Sequence, residues 1–227
     1  MMPAEGTGAF RALLVDYGGV MTSSMGRVFA QFCLEAGVDP ARFRAVIEDA
    51  YGGGSTDGVM ARLERGEIKL AEFERWMAET LSVGMDRPLE PQGLKDRMNA
   101  GLVADRAMVD AVRRARATGV QTALVSNSWG RGAYEHGLFP ELFDAVVISG
   151  EVGARKPEPR IYLMTAERLG VRPHQCVFVD DLLQNVEGAR AVGMEGIVHR
   201  SADFTIPKLE AFFGVALSER ADTPTGP

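Results

Sequence analysis

The 227-residue chain is predicted to be an α/β protein: a parallel sheet flanked by helices, with an all-helical domain inserted after the first strand. Three observations predict this. Short apolar runs alternate with helical patterns through the second half of the chain, the signature of a parallel sheet covered on both faces. One further run stands alone near the start. Between it and the rest lies a long stretch with helical periodicity and no convincing strand.

The elements follow in chain order. Residues 11–15 (RALLV) form an apolar run that stops at Asp16 and a pair of glycines, as a buried strand feeding a loop does. From about Thr22 to Asp105 the period changes. Phe43, Val46, Ile47 and Ala50 recur at helical spacing, and so do Leu70, Phe73, Met77 and Leu81. Gly52-Gly53-Gly54 and residues 84–91 read as breaks between helices. Met108, Val109, Ala111, Val112 and Ala115 then share one helix face. Four further strand runs follow at 121–125, 145–148, 176–179 and 196–198. Between them Ile161, Tyr162, Met164, Thr165 and Leu169 share a face, closed by Gly170 as a C-cap. The pattern is Rossmann-like. Residues 9–21 and 106–217 are assigned to the core and 22–105 to the helical insertion, with 1–8 and 218–227 as flexible tails. There is no internal repeat.

Composition limits the function classes. Hydrophobic residues make up 46% and charged residues 25%, as in a globular protein. Mean hydropathy is -0.05, and no apolar run is long enough to cross a bilayer. Residues 1–8 have no basic segment ahead of an apolar one and do not read as a signal peptide. Cys33 and Cys176 lie far apart in apolar patterns and read as buried thiols of a reducing, cytoplasmic setting. The net charge of -6 argues against a nucleic-acid partner, since a phosphate backbone demands a basic face. A small phosphorylated substrate needs only a local positive site.

In an open parallel sheet, chemistry collects at the carboxyl ends of the strands. Four polar islands stand there. Asp16-Tyr17-Gly18-Gly19 ends the first run. A buried strand-end aspartate is costly unless paired or bound to a cation, although a capping Asp in an ordinary turn has the same sequence. Ser126-Asn127-Ser128 suits a phosphoryl oxygen and equally suits a helix N-cap. Lys156, in Arg155-Lys156-Pro157, would neutralise a phosphate or an aspartate; a solvated basic turn is the plainer reading. Asp180-Asp181 ends another buried run, with Asn185 shortly after. Adjacent carboxylates there repel each other, and a bound cation is the simplest compensation, with a structural acidic turn as the alternative.

The islands come in the order Asp, Ser, Lys, Asp-Asp, which resembles the four motifs of the haloacid dehalogenase superfamily. The stretches VSNSW, KPEPRIY and VFVDDLLQNVEGARAVGM are similar to a phosphatase-like branch. That branch includes the amino-terminal domain of soluble epoxide hydrolase and a domain of acyl-CoA dehydrogenase fusions. The resemblance spans about residues 10 to 215. It implies that Asp16 is the nucleophile of an aspartyl-phosphate mechanism. It implies that Ser126 bonds phosphoryl oxygens with Asn127 alongside, and that Lys156 offsets their charge. It implies a magnesium ion on Asp16, the Gly18 carbonyl and Asp181, with Asp180 in support. The insertion takes the place of the family's cap, which closes the site and reads the leaving group.

One departure matters. The family's phosphatases carry a second aspartate two residues after the nucleophile as general acid and base, and here that residue is Gly18. Such help is worth about 10²–10⁴-fold. Three readings follow. The first is a selective or slow phosphatase of a small phosphorylated metabolite, with His136 or Asp57 as stand-ins. The second is a 2-haloacid dehalogenase, which needs no acid for a halide leaving group. The third is a non-catalytic phosphate- or metabolite-binding module. In the insertion, Arg27, Arg62, Arg65 and Trp76 are candidates for substrate contact.

Overall fold

The computed structural model describes residues 10–52, 58–129, 137 and 139–218. The expected tails at 1–8 and 219–227, the glycines at 53 and 54, and both stand-ins, His136 and Asp57, lie outside the described residues. Ser218, placed in a tail by the sequence, is anchored: its backbone N–H and hydroxyl both donate to Glu210 at 2.8 Å.

Strand β1 (Ala12–Val15) is followed by five helices: α1 (Met25–Ala36), α2 (Pro40–Ala50), α3 (Val59–Glu64), α4 (Leu70–Ser82) and α5 (Leu94–Met98). The chain then alternates. Helix α6 (Arg106–Ala117), β2 (Gln121–Ser126), α7 (Phe139–Leu142), β3 (Ala145–Ile148), α8 (Ser149–Val152) and α9 (Pro159–Leu169) come first. Strand β4 (Cys176–Asp180), α10 (Leu183–Ala191), β5 (Glu195–Val198) and α11 (Ala202–Phe213) complete it. The five strands are parallel in the order β3-β2-β1-β4-β5. The fold is therefore the Rossmann-like α/β class with an inserted helical cap.

Two strands run one residue further than their apolar cores suggest. Ser126 pairs with Ile148 and Asp180 with Val198, so both polar residues end a ladder rather than follow it. Apolar patterning misses them because a strand's length is set by its partner's backbone, while these side chains are chosen for another purpose. The C-cap at Gly170 is as the sequence predicts, with φ 66°.

Alternation along the strands divides the core. Leu13, Val15, Leu124, Val177 and Val179 face α6 and α11, while Ala12, Leu14, Ala123, Val125 and Phe178 face the other layer, which includes α9. The insertion has its own core around Phe32, Phe43, Phe73, Met77 and Leu81. Its two connections to the sheet domain run side by side. Thr22 and Ala104 form an antiparallel bridge, Ser23 N–H donates to Val103 O at 2.7 Å, and Asp105 N–H donates to Met21 O at 2.9 Å. Cys33 and Cys176 are buried free thiols. No described helix is long and apolar enough to cross a membrane.

Phe178 shows what the sheet depends on. It is fully buried and meets Tyr162 edge-on at 5.3 Å. Phe178→Ala is expected to cost about 3–5 kcal/mol, from lost transfer energy and a residual cavity. Urea denaturation checks this as a lower midpoint at unchanged slope. A loss below about 1 kcal/mol would show that the layer collapses to fill the gap.

Candidate active site

The strand order places the carboxyl ends of β1, β2 and β4 next to one another, at the point where connections leave in opposite directions. Asp16, Ser126 and Asp180 therefore converge whatever their side chains prefer. Lys156 reaches them from the loop before α9. Its ammonium is 2.7 Å from Asp16 Oδ1 and 2.7 Å from Asp180 Oδ2, and the residue is 1% exposed. The flexible lysine stem spans from a loop to a strand-end pair, which a shorter cation would not.

Asp180 is fully buried and saturated. Besides Lys156, it accepts from Asn185 Nδ2 at 3.0 and 3.1 Å and from the Leu182 N–H at 2.9 Å. Asp181 lies closer to the opening and lines a cavity of about 280 Å³ together with Asp16, Gly18, Ser126 and Lys156. One oxygen from each of Asp16, Asp180 and Asp181 lies within 4.8 Å of the others. Three carboxylates against one ammonium leave two negative charges uncompensated, which is the charge of one divalent cation. Oxygen-only donors suit a hard cation such as magnesium. Asn185 Oδ1, on another cavity-lining residue, is buried without a hydrogen-bond partner, as expected of an oxygen awaiting a cation or an ordered water.

Electrostatics express the same crowding. Burial pushes the Asp16 carboxyl up to about 7; Lys156 partly offsets this and Asp180 adds to it. Burial, then Asp180, pushes Asp181 up to about 6. Burial alone would lower the Lys156 ammonium, but Asp16 and Asp180 together hold it above the usual lysine value.

Asn127 is placed differently from the sequence expectation. It lines the cavity, but its amide is committed elsewhere. Oδ1 accepts from Lys156 N–H at 2.8 Å, and Nδ2 donates to Lys156 O at 3.1 Å and to Glu64 Oε2 at 3.2 Å. Asn127 thus grips the backbone of Lys156 from both sides. An amide with this many partners has little left for a phosphoryl group.

The cap's contribution was not legible from sequence. Met25, Phe29, Ile47, Tyr51 and Leu102 line the cavity opposite the carboxylates, with Trp129 from the sheet domain. Trp129 stacks on Phe29 at 5.8 Å and meets Phe73 edge-on at 5.7 Å. Glu64, 1% exposed, also faces the cavity. At helical spacing these residues read as ordinary core, and no periodicity separates a cavity wall from a core. The four cap candidates from sequence do not line it. Arg27 and Arg62 are exposed, Arg65 pairs with Glu158 at 2.8 Å, and Trp76 packs on Phe73. A larger open hollow of about 880 Å³, in the cap, shares no lining residue with this site and brings no convergent chemistry.

The two glycines after Asp16 differ. Gly19 has φ 77°, and a β-carbon there would lie 2.3 Å from Asp181 Oδ2. Gly18 is not among the positive-φ glycines, and a β-carbon there would meet only Met25 Sδ at 3.2 Å.

A carboxylate–lysine–carboxylate cluster thus stands at the switch point of a parallel sheet, under a helical cap. The chain matches the haloacid dehalogenase-like hydrolase family over residues 10–193, and it belongs to that family. It is 26% identical over 235 residues to bifunctional epoxide hydrolase 2 of Sus scrofa, covering 95% of this chain and 41% of that protein. It is 28% identical over 217 residues to acyl-CoA dehydrogenase family member 10 of Mus musculus, covering 94% of this chain and 20% of that one. The chain thus spans less than half the length of either relative. It is also 31% identical over 137 residues to (S)-2-haloacid dehalogenase 1 of Pseudomonas sp. (strain CBS-3), covering 57% of this chain and 60% of that protein. Among solved structures, a HAD family enzyme from Bacteroides thetaiotaomicron, in complex with magnesium and inorganic phosphate, shares the fold. Its TM-score is 0.59 at 22% identity, covering 84% of this chain and 94% of that one.

The glycines give a paired test. Gly19→Ala is expected to lower stability well beyond Gly37→Ala, because both have positive φ but only Gly19 has an atom in the way. Left-handed strain alone costs about 1–3 kcal/mol. Equal falls in the two urea midpoints would show that Asp181 moves aside freely.

Proposed function

We propose that this chain is a magnesium-dependent phosphatase acting on a small phosphate monoester with an apolar leaving group, working in the cytoplasm. The observation that carries this reading is the Lys156 ammonium held between Asp16 and Asp180 at the floor of a cavity whose far wall is largely apolar. Asp16, Asp181 and the Gly18 carbonyl would hold the magnesium ion, with Asp180 in support. The ion supplies charge compensation and Lewis acidity toward the phosphoryl oxygens.

The chain's own residues divide the remaining work. Oδ1 of Asp16 is occupied by Lys156 and by the Tyr17 N–H at 2.7 Å, so attack falls to Oδ2. That oxygen would bond to phosphorus as the ester P–O bond breaks, and the leaving oxygen would depart with the bonding pair and take up a proton from water. Water then attacks the phosphorus of the aspartyl-phosphate, releasing inorganic phosphate and restoring Asp16. Lys156 favours the ionised form of Asp16 against its burial and would share its charge with the phosphoryl group. Ser126, at the end of β2, is placed to bond a phosphoryl oxygen. Met25, Phe29, Ile47 and Trp129 would exclude water around the leaving group.

Halide release from a 2-haloacid is the second reading, favoured by the absence of a carboxylate at Gly18 and by the dehalogenase relative. The three-carboxylate cluster speaks for the phosphatase. A screen of aryl, alkyl and sugar phosphates, with and without magnesium, and with 2-chloropropionate alongside, decides between them. Metal-dependent phosphate release that is fastest on aryl and alkyl esters is the expected result. Chloride release without metal would overturn it. Asp16→Asn is expected to remove turnover while leaving the fold intact. A variant keeping more than about a tenth of wild-type rate, a difference of only about 1.4 kcal/mol, would show that Asp16 is not the nucleophile.

Gly18→Asp tests the missing acid. The backbone there accepts a β-carbon, with only the flexible Met25 side chain to give way. The variant is expected to speed hydrolysis of an alkyl phosphate more than that of p-nitrophenyl phosphate, whose leaving group departs largely unaided. Equal rate changes on both substrates, at unchanged melting temperature, would show that proton donation does not limit turnover.

A further inference from the structure

We propose that Glu64, on the cap, is a positioning residue that ties closure of the cap to the placement of Lys156; this rests on the reading of Lys156 given above. Glu64 is a buried carboxylate at the end of a short helix in an apolar bundle, and nothing within its own helix explains it. Its partners do. Oε2 accepts from Arg155 Nε at 2.5 Å and from Asn127 Nδ2 at 3.2 Å, both in the sheet domain. Oε1 accepts from the Tyr51 hydroxyl at 3.1 Å, within the cap. Arg155 also lies over the Tyr51 ring at 5.6 Å. Beside this, Arg65 Nε pairs with Glu158 Oε1 at 2.8 Å, and Glu158 Oε2 accepts from the Arg155 N–H at 3.2 Å. Two neighbouring residues of the cap therefore grip both ends of the loop that carries Lys156.

The energetics say what such a pair is for. A buried ion pair roughly breaks even against apolar packing, so net stability is a poor reason for it. Its geometry is demanding, and the demand passes along a chain of contacts. Glu64 Oε2 and Lys156 O both require a donor, so together they fix which way the Asn127 amide faces. With Nδ2 committed there, Oδ1 faces the Lys156 N–H. Asn127 then holds Lys156 N–H and C=O together, and the lysine stem delivers its ammonium to Asp16 and Asp180. With the cap open, Asn127 loses its outer anchor and the loop loses its Glu64–Arg155 and Arg65–Glu158 pairs, leaving Asn127 alone to hold the lysine backbone. The cap so placed closes the cavity and completes its charge arrangement in one movement.

The test compares Glu64→Gln, the charge-free pair Glu64→Gln/Arg155→Gln, and Asn127→Ala. The single glutamine leaves Arg155 buried without its counter-ion; the double variant removes both charges and guards against a variant that does not fold. Residue-resolved amide exchange is the first readout and needs no turnover, so it stands apart from the phosphatase reading. The Lys156 amide is expected to exchange about tenfold faster or more in all three, with β1 and α4 as in wild type. Acceleration across α2 to α4, or an unchanged Lys156 amide, would mark Glu64 as a packing residue and overturn the proposal. On p-nitrophenyl phosphate with magnesium, kcat is expected to fall about tenfold or more at nearly constant KM. Adding Glu64→Gln to Asn127→Ala is expected to cost little further, because Glu64 acts through Asn127. Additive losses would contradict that order.

Discussion

The geometry of this molecule turns on one buried cation. The Lys156 ammonium sits between two aspartates that end adjacent strands, in a place where none of the three charges is tolerable alone. Remove the lysine, and two carboxylates face each other across adjacent strand ends. Remove either carboxylate, and the buried ammonium keeps one of its two counter-ions. The sheet supplies the spacing through the register of β1 and β4, in which Val15 lies opposite Val179. Asn185 and the Leu182 N–H supply the remaining hydrogen bonds to Asp180. The electrostatic problem is thus solved by backbone topology first and by side chains second.

What the cluster leaves unsolved is as informative as what it satisfies. Asp181 joins Asp16 and Asp180 without a cation of its own, and burial drives its carboxyl upward. A protein that needed only rigidity would have placed an apolar residue there. The cost is accepted at the mouth of a cavity, where a divalent ion and a phosphoryl group would share it. The apolar wall opposite makes the site asymmetric, with charge below and aromatic surface above.

The sheet, the order of its chemical residues and the helical nature of the insertion were legible from residues alone. Asp16, Ser126 and Asp180 announce themselves because a polar side chain ending an apolar run conflicts with its surroundings, whereas Lys156 stands out only through the resemblance of KPEPRIY. Glu64 announces nothing: in MARLERGE it reads as one more surface charge of a short helix, since its burial depends on a loop some ninety residues away. Phe29, Trp129 and Met25 were illegible for the opposite reason, since a cavity wall and a core share one alphabet. Asn127 was found, but its grip on the Lys156 backbone was not, because sequence shows that an amide is present and not which way it turns.

The bridge between Thr22 and Ala104 has a consequence for how such proteins diversify. The chain leaves the sheet domain and returns to it at points one ladder spacing apart, as it would for a tight hairpin. From the core's side, the whole helical excursion is equivalent to a short turn, and the entropy of closing it grows only slowly with its length. The sheet and the residues at its strand ends can therefore keep their register while the roof is lengthened, shortened or exchanged. Chemistry and selectivity are inherited through separate pieces of one polypeptide, joined at a doorway two strands wide.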